Sequence, residues 1–235
     1  NPILQSADEL RRSLSDIVKE VDPGGRDPAL RRMVLIGHSQ GGLLARLMVS
    51  ESGSRFWDSV SSVPLSQIKA SPAARALLQR AMFLEPVPAV SRVVFVSTPH
   101  RGSFRISAPV LRLIRWLVTL PVALVKDLDE ISRLNVDKLK GGRGEIPTAV
   151  DNMNPNGRFI RTLLACPMTP KVTTHSIISV LGSGPVTGKT DGFVAYESAR
   201  LFRMIGVGVD VLRAFGLILV LAAGLSVFIA LLNAL

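Results

Sequence analysis

Along the chain, apolar and polar positions alternate in blocks whose periods predict helices and short strands in turn. Leu10, Leu14, Ile17, Val18 and Val21 recur at helical spacing behind Ser6-Ala7-Asp8-Glu9, which has the form of a capping box. The pattern therefore predicts an amphipathic helix over 7–21, stopped by Asp22-Pro23-Gly24-Gly25. Met33-Val34-Leu35-Ile36 is a continuous apolar run ending at Gly37, and it reads as a fully buried strand. An apolar helix follows from Gly41 to Val49, and a second helix is predicted over 73–83 between proline-rich edges. Further buried strands are expected at Arg92–Ser97 and Ser176–Leu181. Strands separated by helices pair in parallel, so the expected class is α/β, a parallel sheet with flanking helices. Three strands make a small sheet, which points to neighbours missing from the sequence.

Two stretches break this alternation. Between the second and third strands lies an insertion of about 104–170, read as lid-like because Val110–Val125 is apolar yet carries Arg112, Arg115 and Pro121. It fits an interfacial helix or lid, with an ordinary core helix as the alternative. Ala214–Leu232 is apolar and uncharged, and at about 1.5 Å per residue a helix of this length spans roughly 28 Å, close to a bilayer core. It is a candidate transmembrane segment (214–235 in the domain reading, after a body of 1–213), with a buried C-terminal helix as the alternative. Arg200, Arg203 and Arg213 precede it, so a span would leave the body cytoplasmic and the protein membrane-associated.

Composition sharpens this picture only in part. The 235 residues carry 28 Lys and Arg against 18 Asp and Glu, a net charge of +10, and are 47% hydrophobic. With a mean hydropathy of +0.34, this combination suits a packed enzyme core or a membrane contact. Aromatics make up 5% of the chain, too few for base-stacking platforms, and the positive charge is dispersed, so no nucleic-acid partner is expected. The single Cys166 excludes an internal disulfide framework and a cysteine-based zinc cluster. No cofactor or metal is implied. Asp127, Asp129 and Glu130 read as a solvated helix face, and Gly188-Lys189-Thr190 lacks the upstream glycine of a phosphate loop.

The chemistry lies in Gly37-His38-Ser39-Gln40-Gly41, a G-x-S-x-G pattern between a predicted strand and a predicted helix. On so tight a turn the serine is forced into a strained backbone that lifts its hydroxyl clear of the sheet. Glycines two residues on either side leave room for the turn, and the amide of Gln40, at the helix N-terminus, can help hold an oxyanion. Val34 to Gly42 resembles the nucleophile elbow of the α/β-hydrolase lipases and esterases. Val96-Ser97-Thr98-Pro99-His100-Arg101-Gly102-Ser103 resembles the end of the family's next strand, and Thr190-Asp191-Gly192-Phe193-Val194 the loop bearing its acid. The resemblance covers about 34–200 and implies an α/β-hydrolase fold and hydrolysis of carboxylic, lipid-like esters through an acyl-enzyme. It makes Ser39 the nucleophile, Asp191 the acid and Gln40 an oxyanion donor.

The chain departs from that family in two places. The family's histidine would follow Asp191, yet no histidine occurs after His175. The early strand and loop that would supply a second oxyanion amide are also absent, so the domain reads as partial, or as the product of an altered frame. Of the three histidines, His38 lies inside the elbow and His175 at the far end of its strand. His100 is the remaining candidate base. Removing the histidine of a serine-protease triad lowers turnover by a factor on the order of 10⁶, so impaired activity is expected. The reading of another class is a non-catalytic, membrane-attached binding protein.

Overall fold

The computed structural model describes residues 3–102, 131, 133–135, 137–140, 154–181, 185–190, 194–200 and 209–210. Four parallel strands lie in the order in which they occur in the chain: β1 (Met33–His38), β2 (Val90–Val96), β3 (Thr173–Ile177) and the two-residue β4 (Val209–Asp210). Between them run α2 (Gln40–Met48), α3 (Arg55–Val60), α4 (Pro72–Met82), α5 (Arg158–Ala165) and α6 (Tyr196–Ala199), and α1 (Ile3–Val21) precedes the sheet. This is the mixed α/β class expected, with parallel pairing between β1 and β2 and between β2 and β3.

The predicted boundaries shift in physically instructive ways. The first helix starts at Ile3, so Ser6 lies within it and not at its N-cap; Ile3 and Ala7 are buried, which gives the earlier turn an apolar anchor of its own. Its last turn fits the core less well than the spacing predicts, because Ile17 is 40% and Val21 65% exposed. The helix predicted at 73–83 spans Pro72–Met82, with Ser71 Oγ accepting from the amide of Ala74 at 3.1 Å and proline at the first position. The third strand runs through Thr173–Ile177 and not 176–181, which places His175 inside it. The apolar residues beyond it have another use: Ile178 and Val180 are buried with Val194, Tyr196 and Ala199 in a separate cluster.

The main core lies on one face of the sheet. Val93 and Phe95 from β2 pack with Leu43 and Leu47 of α2, Ile3, Ala7 and Leu14 of α1, and Ile160 and Leu163 of α5. α5 therefore brings the C-terminal part of the 104–170 stretch into the core, whereas 104–130 of the expected lid lies outside the described residues. A second cluster forms around Trp57, Leu65 and Ile68. It is closed by Asn135, which is fully buried: its side chain accepts from the amide of Lys69 at 2.8 Å and donates to the carbonyls of Lys69 and Ile131 at 2.8 and 2.9 Å.

The expectation of fully buried strands is corrected by the opposite face. Register aligns Ile36, Val94 and His175 on it, flanked by the rows Val34, Arg92, Thr173 and His38, Val96, Ile177. Val34 is 50% and Ile36 47% exposed, and no residue of these rows is buried. A continuous apolar run is ambiguous between two covered faces and one, and here the described elements cover one. Among the described residues no helix is long and apolar enough to cross a membrane, and the 214–232 stretch lies outside them.

Candidate active site

Ser39 sits where β1 ends and α2 begins, with φ 52 and ψ −122. Left-handed φ is rare for a residue with a side chain and costs on the order of 1–3 kcal/mol, so the surroundings must impose it. They do so from both sides. The Ser39 amide donates to the carbonyl of Val96 at 2.9 Å, tying the turn to the end of β2, and the Ser39 carbonyl accepts from the amide of Gly42 at 3.0 Å. Ser97, at the corresponding end of β2, repeats the conformation with φ 44 and donates its amide to the carbonyl of Ile177 at 2.9 Å. The strand ends are thus stitched sideways, and Ser39 is held partly exposed at the C-terminal edge of the sheet.

The glycines around this serine are not equivalent. A Cβ on Gly37 would come within 2.5 Å of Gly42 Cα and 2.6 Å of the Gly41 carbonyl oxygen, both backbone atoms that cannot swing away. On Gly42 a Cβ would collide with the Thr98 side chain. Gly41 faces open space, with nothing within 4 Å. The close approach therefore runs through Gly37 and Gly42, and the expectation that Gly41 makes room for the turn is corrected. Thr98, to which no motif drew attention, closes the gap: its hydroxyl donates to the Gly37 carbonyl at 3.3 Å. The doubled glycine at 41–42 was the available signal for such a contact.

Gln40 is the first residue of α2, so its amide lies at the positive end of that helix. Asp191 lies outside the described residues, and the structure brings nothing to bear on it directly. Its neighbour Thr190 is fixed beyond the C-terminal end of β3, where its carbonyl accepts from the amide of Leu181 at 2.9 Å.

His100 is 1% exposed and stands edge-on to Phe95, ring centroids 4.6 Å apart and planes at 87°. Neither ring nitrogen has a hydrogen-bond partner, Ser39 included. Burial, followed by the positive charges of Arg46 and Arg101, pushes its pKa down to about 3, so the ring is neutral at pH 7. Arg46 is the second polar side chain that the sequence did not flag, lying on the apolar face of α2 at 5% exposure. One of its nitrogens donates to the Leu163 carbonyl at 3.0 Å, while Nε and Nη1 have no partner. Burial lowers its pKa to about 10, which leaves it charged at neutral pH. His38 is exposed on the open face of the sheet, and His175 contacts Arg92 across it at 2.5 Å. The structure thus places Ser39 and Gln40 together and leaves the three histidines in three different environments.

Among the described residues no group of three or more His, Cys, Asp or Glu is placed to hold a metal ion. A groove of about 380 Å³, lined by Trp57, Val63, Leu65, Phe83 and Lys140 among others, includes none of the elbow residues.

No family model matches the chain, and no curated protein matches it. Among solved structures, the chain is similar to a Bacillus licheniformis lipase in its mature form, with 14% identity over 89% of this chain and a TM-score of 0.43. The propeptide form of that lipase gives 14% identity over 89% of this chain and a TM-score of 0.41. The chain spans 64% of the first structure and 36% of the second. Similarity at this level carries no argument about the chemistry of this chain.

Proposed function

We propose that this chain carries the nucleophile of a serine hydrolase acting on carboxylic, lipid-like esters. One observation supports the reading above the rest: Ser39 is held at φ 52 between the end of a parallel strand and the start of a helix. That conformation is costly, and strained backbone of this kind clusters at functional sites. In the proposed reaction Ser39 Oγ attacks the ester carbonyl, and the Gln40 amide donates to the oxyanion. The tetrahedral adduct collapses with loss of the alcohol, which takes up the proton released by Ser39. Water then attacks the acyl-enzyme, freeing the acid and restoring the hydroxyl.

Asp191 takes the place of the acid that orients a histidine, as the resemblance implies. His100 is the histidine the sequence offers for that place, but its ring is buried and makes no hydrogen bond to Ser39. A ring with a pKa of about 3 is a poor proton acceptor at neutral pH, so slow turnover is expected. The test is covalent labelling by a fluorophosphonate, whose phosphorus is attacked by a serine oxygen with loss of fluoride. Labelling that is slow in the chain and absent in Ser39→Ala is the expected result. Equal labelling of both proteins removes Ser39 from the mechanism.

A further inference from the structure

We infer that Arg46 and His100 form a buried site for one small monovalent anion of chloride size, set among α2, α5 and the end of β2. Local geometry brings the pair together. Arg46 follows Gly42 by one helical turn, and Gly42 lies against Thr98, two residues before His100. From α2 the Arg46 guanidinium reaches the Leu163 carbonyl of α5 at 3.0 Å, and its charge acts on His100. Both side chains are buried, at 5% and 1% exposure. Nε and Nη1 of Arg46 and both ring nitrogens of His100 have no hydrogen-bond partner among the described residues.

Charge decides what belongs there. Arg46 keeps its proton at neutral pH, and a guanidinium taken out of water needs acceptors for its N–H groups and a compensating charge. Among the described residues no carboxylate supplies that charge to Arg46. Arg101 acts on it with the same sign, and burial holds the Cys166 thiol protonated, with Sγ donating to the Thr162 carbonyl at 3.2 Å. Arg80 shows the contrast, since it pairs with the buried carboxylate of Asp8 at 3.2 Å. A water molecule would accept from the guanidinium and leave the charge uncompensated, whereas an anion does both. His100 is neutral at pH 7, so one ring nitrogen carries a proton and adds a donor. One buried cation calls for one negative charge, and burial this deep suits a bare ion better than a bulky organic acid. So placed, the anion holds α2 to the strand end whose Thr98 hydroxyl donates to the Gly37 carbonyl.

The experiment is urea denaturation of the full chain with sodium chloride replacing sodium gluconate at constant ionic strength, gluconate being too large for so enclosed a site. At a fixed urea concentration, the ratio of folded to unfolded chain should rise about tenfold for each tenfold increase in chloride once the site is mostly filled. In Arg46→Met the ratio should not respond to chloride. An equal response in both proteins overturns the inference, because it would come from the net charge of +10 on the whole chain. No response in the parent also overturns it and makes water the partner of these nitrogens. Should Arg46→Met not fold, equilibrium dialysis against radioactive chloride decides, with His100→Met as the variant. Saturable binding of one chloride per chain, weakened about tenfold in His100→Met by loss of a donor to a charged group, is the expected result. Binding that does not saturate, or that His100→Met leaves unchanged, overturns the inference.

Discussion

At the scale of single residues, the elbow distinguishes positions that a motif treats alike. Gly42 meets the Thr98 side chain, whereas Gly41 meets nothing. Gly42→Ala should therefore cost about 1–3 kcal/mol through overpacking. Gly41→Ala, in the same helix, should be neutral or stabilising by up to about 1 kcal/mol, because alanine is the better helix former. Urea denaturation of the two variants checks both, and equal destabilisation would contradict the packing described. His100 carries a pH signature. Its ring stays neutral in the folded chain down to about 3, against the ordinary 6.5 that the unfolded chain would show. Between those values the unfolded chain binds the extra proton, so stability falls as pH drops through this window. His100→Met should lose less stability than the parent between pH 7 and pH 4, measured by denaturation at both. An identical loss would show that His100 is not what titrates.

At the scale of elements, helices and turns were more legible than strand faces. The helix after the elbow is legible as a run buried continuously from Gly42 to Met48, and the one at 72–82 from its Ser71 cap and the proline at its first position. The third strand slipped because Ile178 and Val180 are apolar for another reason, packing with Tyr196 beyond the sheet. Local pattern states that a residue is buried without stating against what. Asn135 shows the converse case, a polar residue fully buried because loop backbone needs it. Asn135→Ala would leave the Lys69 amide and carbonyl without their partner, a loss of about 2–4 kcal/mol from several buried hydrogen bonds. Hydrogen exchange should report it as faster exchange in 65–70, ahead of the sheet. Unchanged protection there would mean that this contact does not hold the second cluster.

At the scale of the molecule, the described structure is a sheet with its core on one side. α1 joins that core through Ile3, Ala7 and Leu14, the last at 4% exposure. Leu14→Ala should cost about 2–5 kcal/mol by loss of buried area and the cavity left behind. Thermal unfolding would then shift as one transition, because α1, α2, α5 and β2 share a single cluster. A separate early transition would instead identify α1 as an independent unit.

What the amino-acid sequence determined alone was local: the α/β alternation, the serine between strand and helix, and the absence of a histidine after His175. These follow from short-range periodicity and composition, which each segment carries within itself. The tertiary structure decided which face of the sheet is covered, that Gly42 and not Gly41 makes the tight approach, and that His100 is sealed beside Arg46 without a hydrogen-bond partner. Each of these depends on residues far apart in the chain meeting in space. Burial, steric fit and the loss of water around a charge belong to that meeting and to no single segment.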